Sequence, residues 1–159
     1  MNLKLLTVGK LKEAYLREAV KEYEKRLTRF ARITVVEVPD EPSAENAGEK
    51  ERLRVLEKEG ERLLAKITEK AYVIALAVNG TAFSSEEMAG RIGALLSGGE
   101  SDLFFVIGGS LGLSERVLAR ANEQWSFSRL TFPHQLMRVI ALEQIYRSFK
   151  ILKNEPYHK

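Results

Sequence analysis

The 159-residue chain contains no cysteine. That excludes disulfide scaffolds, thiolate nucleophiles and cysteine-held zinc or iron–sulfur centres. Histidine is nearly as scarce, with only His134 and His158. A zinc site would need carboxylates, no HExxH-type pair exists, and no metal is expected. No apolar run approaches the ~18 residues of a membrane span. The opening MNLKLLTVGK has no long apolar h-region and no small-residue cleavage site. The expectation is a cytoplasmic protein that meets no membrane.

What is present suits one compact domain spanning residues 1–159, with a core that needs neither disulfides nor metals. Hydrophobic residues make up 45% and charged residues 30%, nearly balanced in sign, which argues against intrinsic disorder. The net charge of +3 is unevenly laid out: residues 1–32 carry +5, 33–70 carry −3, 71–120 carry −2 and 121–159 carry +3. If folding brings the basic ends together, one face becomes basic and a polyanion becomes a reasonable partner; otherwise these cations only solvate helix faces.

Apolar strands alternate with helical segments. Strands are expected at Leu3–Val8, Ile33–Val38, Tyr72–Val78, Leu103–Ile107 and Trp125–Phe127, and Asn79-Gly80 marks a turn. Helices are expected over Lys12–Phe30, Glu49–Ile67, from Ser84 to about Leu96, from Ser114 to about Ala121, and over Pro133–Leu152. Ser84 and Glu87 fit a capping box. Gly60 weakens its helix, so a bend or a close approach is expected there. The alternation predicts a three-layer α/β domain around a mostly parallel sheet.

The last helix carries more information. Glu143, Arg147 and Lys150 share one narrow polar stripe, and nearly everything else from Val139 to Leu152 is apolar. A helix covering one face of a sheet needs a narrower apolar arc. Burial on two sides is expected, with a partner subunit as the second cover and hence a homodimer; central burial within one chain is the alternative.

Ligands of open α/β sheets bind beyond the carboxyl ends of the strands. Three segments fit that position: Leu76 with its neighbours, the Gly108-Gly109 stretch VIGGSLGL, and Ser126-Phe127-Ser128-Arg129-Leu130-Thr131-Phe132. Adjacent glycines leave backbone N–H groups uncovered beside a ligand, although they equally serve a strand-to-helix turn. Neither GxGxxG nor GxxxxGK[ST] nor GxSxG occurs. The residues alone thus lead to an α/β domain with a small-ligand pocket and a basic face, and to no particular reaction.

The segments FVIGGSLGL, WSFSRLTFPHQLMRVIALEQIYRSFKI and the terminal Pro156-Tyr157-His158-Lys159 together resemble the bacterial large-subunit ribosomal RNA pseudouridine N3-methyltransferases. So do the strand ending Val8-Gly9-Lys10, the helix with Glu22-Tyr23 and Arg26, and Glu37-Val38-Pro39. The resemblance covers essentially the whole chain, although residues 41–58 and 85–100 add little to it. It implies a SPOUT methyltransferase fold with a C-terminal trefoil knot, which no periodicity could suggest, and a homodimer packed through the last helix. It also implies S-adenosyl-L-methionine as methyl donor, held by Leu76, Gly108, Gly109 and Ser126 to Phe132, and 23S rRNA of the large subunit as substrate, methylated on N3 of a pseudouridine in the assembled ribosome.

Within that reading His158 is the first candidate for general base or substrate positioning, with a frayed tail as the alternative. Tyr157 is a candidate for stacking or hydrogen bonding. Arg138 is a candidate for facing the pocket or the RNA, with a dimer-interface ion pair as the alternative. His134 is read as structural, and Arg129 as lying in the donor loop or turned toward phosphates. Basic residues of the first helix and Lys150, Lys153 and Lys159 are the candidate RNA contacts. Two competing readings are a catalytically silent ribosome-associated RNA-binding protein of the same fold and a flavodoxin-like nucleotide binder.

Overall fold

A computed structural model describes residues 1–159. Five strands, β1 (Asn2–Val8), β2 (Arg32–Val38), β3 (Tyr72–Ala82), β4 (Asp102–Ile107) and β5 (Glu123–Ser126), form one sheet in the order β2-β1-β4-β3-β5. Every neighbouring pair is parallel. Flavodoxin-like sheets run 2-1-3-4-5. The exchange of β4 and β3 here sets this fold apart from that reading.

Five helices cover the sheet: α1 (Ala14–Leu27), α2 (Glu49–Leu64), α3 (Ser85–Ser97), α4 (Glu115–Arg120) and α5 (His134–Leu152). Side chains alternate across the strands with a period of two. Leu3, Leu5, Leu103 and Phe105 enter the core beneath α1, α3 and α5. Leu6, Val8, Phe104 and Val106 enter the smaller core that includes Leu63 of α2 and Val117 of α4. Strand and helix positions expected from the sequence agree to within a few residues, apart from the end of β3.

Capping explains two helix starts. The Ser84 hydroxyl accepts the Glu87 N–H while Glu87 accepts the Ser84 N–H, a complete capping box. Ser114 accepts the Val117 N–H at 3.3 Å. Gly60 is a place of close approach, because a Cβ there would lie 2.4 Å from Ser114 Oγ, so α2 rests on the cap of α4.

Two expectations need correction. Asn79-Gly80 is no strand-ending turn: β3 continues to Ala82, and Leu76 and Thr81 both pair with Trp125, so the intervening residues loop out of register. Gly80 is needed there because a Cβ would lie 2.6 Å from the Gln124 carbonyl. The second concerns α5, which packs against both α1 and α3 on the sheet. Its Ala141, Leu142, Ile145 and Phe149 belong to the main core. The chain's own helices therefore cover most of the arc that the sequence reading assigned to a partner.

Candidate active site

At the carboxyl ends of β3, β4 and β5 lies a cavity of about 630 Å³, within the range of small-ligand sites. One wall is the loop after β4. Its Gly109 and Gly112 are bridged antiparallel, and a Cβ on Gly108 would lie 2.3 Å from the Gly112 carbonyl oxygen, so only glycine lets this loop close on itself. The opposite wall is the loop between β5 and α5. There Ser126 Oγ donates to the Ser128 carbonyl at 3.1 Å, and Ser128 Oγ accepts the Leu130 N–H at 2.9 Å.

Leu76, Gly108 and Gly109 line this cavity, as do Ser126, Phe127 and Ser128, then Leu130, Thr131 and Phe132. Arg129 does not; the tight turn closed by Ser128 and Leu130 leaves it exposed on the outside. The neighbours of Leu76 that line it are Ala77 and Val78, where β3 runs out of register, and sequence reasoning missed His134 and Met137 from the start of α5.

Trp125 is buried beside the cavity and fixed from behind. Its Nε1 donates to Glu123 at 2.6 Å, and Tyr72 and Arg91 donate to the same carboxylate. Burial pushes the Glu123 carboxyl up, but the hydrogen bonds from Arg91, Trp125 and Tyr72 outweigh it and hold it below the usual carboxylate range.

His134 lines the cavity half-buried. Burial first and the nearby Arg138 guanidinium second hold its imidazole below the ordinary value, with Asp40 pulling the other way. It is therefore a neutral ring at physiological pH.

Arg138 occupies a different place from the one expected. Only 1% exposed, it donates to the Val8 and Gly9 carbonyls, both at 2.8 Å, and to Glu37 at 2.6 Å. It touches neither the cavity nor solvent. The reason is local: Gly9 has φ +84°, and the chain turning there leaves two carbonyls pointing at α5.

The C-terminal tail folds back on α3 and α5 rather than fraying. Tyr157 donates to Glu143 at 3.1 Å, and burial, followed by contact with Tyr23 and Glu143, pushes its phenol up to about 12. His158 Nδ1 lies 3.1 Å from Arg147 Nη1 and its Nε2 lies 2.7 Å from Glu86. Arginine only donates, so Nδ1 accepts and Nε2–H donates to the carboxylate. Both ring nitrogens are engaged, and neither Tyr157 nor His158 lines the cavity of its own chain.

No group of three or more His, Asp and Glu side chains is gathered to hold a metal ion. No helix is long and apolar enough to cross a membrane.

Residues 1–158 match the family model described as predicted SPOUT methyltransferase. The chain is 56% identical over its whole length, and the whole of theirs, to proteins named ribosomal RNA large subunit methyltransferase H from Enterococcus faecalis and from Listeria monocytogenes. It is 53% identical, again over both full lengths, to the one from Bacillus pumilus. Among solved structures, a probable methylase family protein from Haemophilus influenzae superposes with a TM-score of 0.55 at 11% identity, covering 99% of this chain and 70% of that one, a likeness of fold. With a glycine loop and a β5–α5 loop facing each other across a cavity at the strand ends, the chain belongs to the SPOUT methyltransferase family.

Proposed function

We propose that this methyltransferase acts on 23S rRNA of the large ribosomal subunit, transferring a methyl group from S-adenosyl-L-methionine to N3 of a pseudouridine. The observation that carries the donor assignment is the cavity lining: apolar side chains, serine and threonine hydroxyls, loop backbone and the single imidazole of His134, with no carboxylate, lysine or arginine. Such a wall suits a heteroaromatic ring and a compact zwitterion whose cationic sulfur must stay reactive rather than paired. The RNA assignment rests on the full-length identity to the methyltransferases named above.

In this reading the Gly108–Gly112 loop and residues 126–133 hold the donor through backbone N–H and C=O groups. Trp125, fixed by Glu123, backs the site. Bound S-adenosyl-L-methionine supplies an electrophilic methyl group on a sulfonium. The protein's contribution is positioning, which converts a bimolecular encounter into an oriented one, together with an acceptor for the N3 proton. Arg138 supports the site indirectly, by fixing Val8 and Gly9 beneath it. Tyr157 and His158 anchor the tail, so any contact between the tail and a donor cavity runs between two copies of the chain.

A homodimer along the outer face of α5, a C-terminal trefoil knot, one domain over residues 1–159 and a cytoplasmic location belong to the same proposal. Exposed Leu136 and half-buried Val139 and Ile140 on α5 support the dimer.

The test is incubation with labelled S-adenosyl-L-methionine and either ribosomes or naked rRNA lacking this modification. Label at N3 of a large-subunit pseudouridine is the expected result. Donor binding without label in any RNA would favour the silent RNA-binding alternative, and absence of donor binding by calorimetry would overturn the cavity assignment.

A further inference from the structure

Beside the donor cavity is a second, smaller recess of about 130 Å³ with a different character. It lies between the end of β1, the segment after β2 and the start of α5. Its wall carries Lys10, Lys12, Asp40 and Gln135, and only one of its nine lining residues is hydrophobic. It shares Gly109, Ser110 and His134 with the donor cavity, so the two spaces meet at one wall.

The recess is built rather than incidental. Its Val8–Gly9 floor is held by the buried Arg138 through two carbonyl hydrogen bonds. Behind Gly109 stands the Glu59 carboxyl, itself 5% exposed, whose Oε2 accepts the Glu41 N–H at 3.0 Å while Oε1 has no partner. Its carboxylate oxygens would lie 3.1 and 3.4 Å from a Cβ at Gly109, so that wall is packed to contact. The volume suits one small planar ring, and the polar lining suits a ring with alternating donors and acceptors. Two exposed lysines at the mouth suit a flanking phosphate.

We propose that this recess seats the acceptor base, a uracil-type imide, and that His134 on the shared wall accepts its N3 proton. The proposal rests on the methyl-transfer reading above and adds the seat and the base to it. His134 is the one titratable side chain facing both spaces. No hydrogen bond within the chain engages its ring where it lines the two spaces, so it keeps a free lone pair, whereas both nitrogens of His158 are occupied. In the step, the N3–H proton passes to the free imidazole nitrogen and the N3 electron pair forms the bond to the methyl carbon. The carbon–sulfur pair stays on sulfur, leaving a neutral thioether and an imidazolium. Asp40 steadies that imidazolium until the proton leaves to solvent, and Gln135 hydrogen-bonds a ring carbonyl.

The groups facing His134 are Arg138 and Gln135 from its own helix, Asp40 from the segment after β2, and Lys10 and Lys12 from the segment after β1. With the ring held below the ordinary imidazole value, wild-type turnover should fall on the acid side of that value and stay level above it.

The test measures methyl transfer to unmodified large-subunit particles across pH, and particle affinity without donor. His134→Gln should lower kcat by about 100-fold or more and abolish the acid limb of the profile. Lys10→Ala with Lys12→Ala should weaken donor-free particle affinity and reduce its salt slope by roughly 0.7–0.9 per lysine. Wild-type kcat or an unchanged acid limb in His134→Gln would overturn the base, and unchanged affinity and slope in the lysine variant would overturn the seat. If His134→Gln fails to fold, the exposed lysine pair and Asp40→Asn, expected to lower kcat, decide. A wild-type chain that methylates no RNA sinks the function itself; a wild-type chain that does, with variants behaving like it, sinks only this inference.

Discussion

Arg138 and Glu59 are charged side chains in the interior, and each keeps one atom without a partner, Nε and Oε1 respectively. Arg138 offsets its burial with two carbonyls and Glu37. Arg138→Met leaves those carbonyls orphaned and should cost about 3 kcal/mol, read as a lower midpoint in urea; an unchanged midpoint would show the clamp to be dispensable. Glu59 is less well compensated, and burial, only partly offset by the Glu41 N–H, pushes its carboxyl up. A raised folded value in an acid means that its stabilising contribution is full below the unfolded value and is lost as pH rises through the folded one. Glu59→Gln should therefore raise the melting temperature at neutral pH and change it little near about pH 4; equal effects at both would refute this. Neither residue's role was legible in the sequence. A glutamate at a helical position normally reads as solvated, and nothing local reveals that α2 aims residue 59 at a glycine loop fifty residues away.

At the scale of elements, α5 shows what a hydrophobic pattern does and does not convey. Its broad apolar arc correctly signals burial on more than one side, but a linear pattern does not name the cover. Here α1 and α3 flank it, and Ile145 is 0% exposed. Ile145→Glu is thus expected to prevent folding, by placing a charge in the core. Leu136→Glu, at a position 37% exposed, should leave the melting curve nearly unchanged while halving the mass found by sedimentation velocity. A folded Leu136→Glu dimer would move the interface elsewhere. The loop after β4 was easier to locate, because paired glycines after a buried strand mark a special backbone. What they accommodate was not visible: Gly108 makes room for Gly112 of the same loop. Gly108→Ala should therefore weaken S-adenosyl-L-methionine binding at least tenfold by calorimetry, since a Cβ there meets backbone that cannot rotate away.

Across the whole molecule, folding does bring the basic ends together, because α1 packs against α5. Several of those cations are already engaged, however: Arg26 with Glu22, Arg29 and Lys150 with Glu155, Arg147 with Glu143. Segment charge therefore overstates what is free to meet RNA. Lys21 and Lys25 on α1 remain exposed. Lys21→Glu with Lys25→Glu should weaken large-subunit affinity by roughly tenfold or more at moderate salt. Glu57→Lys on α2, across the sheet, should not, and equal effects would argue against a localised face. The layer architecture was readable from the alternation of periods. The strand order was not, because which strand lies beside which depends on crossovers longer than any local signal.

The clamp between Arg138 and the carbonyls of Val8 and Gly9 spans 129 to 130 positions of sequence. During synthesis the first strand emerges long before its stay does. Until α5 has left the exit tunnel, the floor of the recess is unfixed and the β5–α5 wall of the larger cavity is unmade. Chains that stop short of α5 therefore carry much of the sheet but lack a wall of each pocket. Both pockets are completed in one event, when α5 docks.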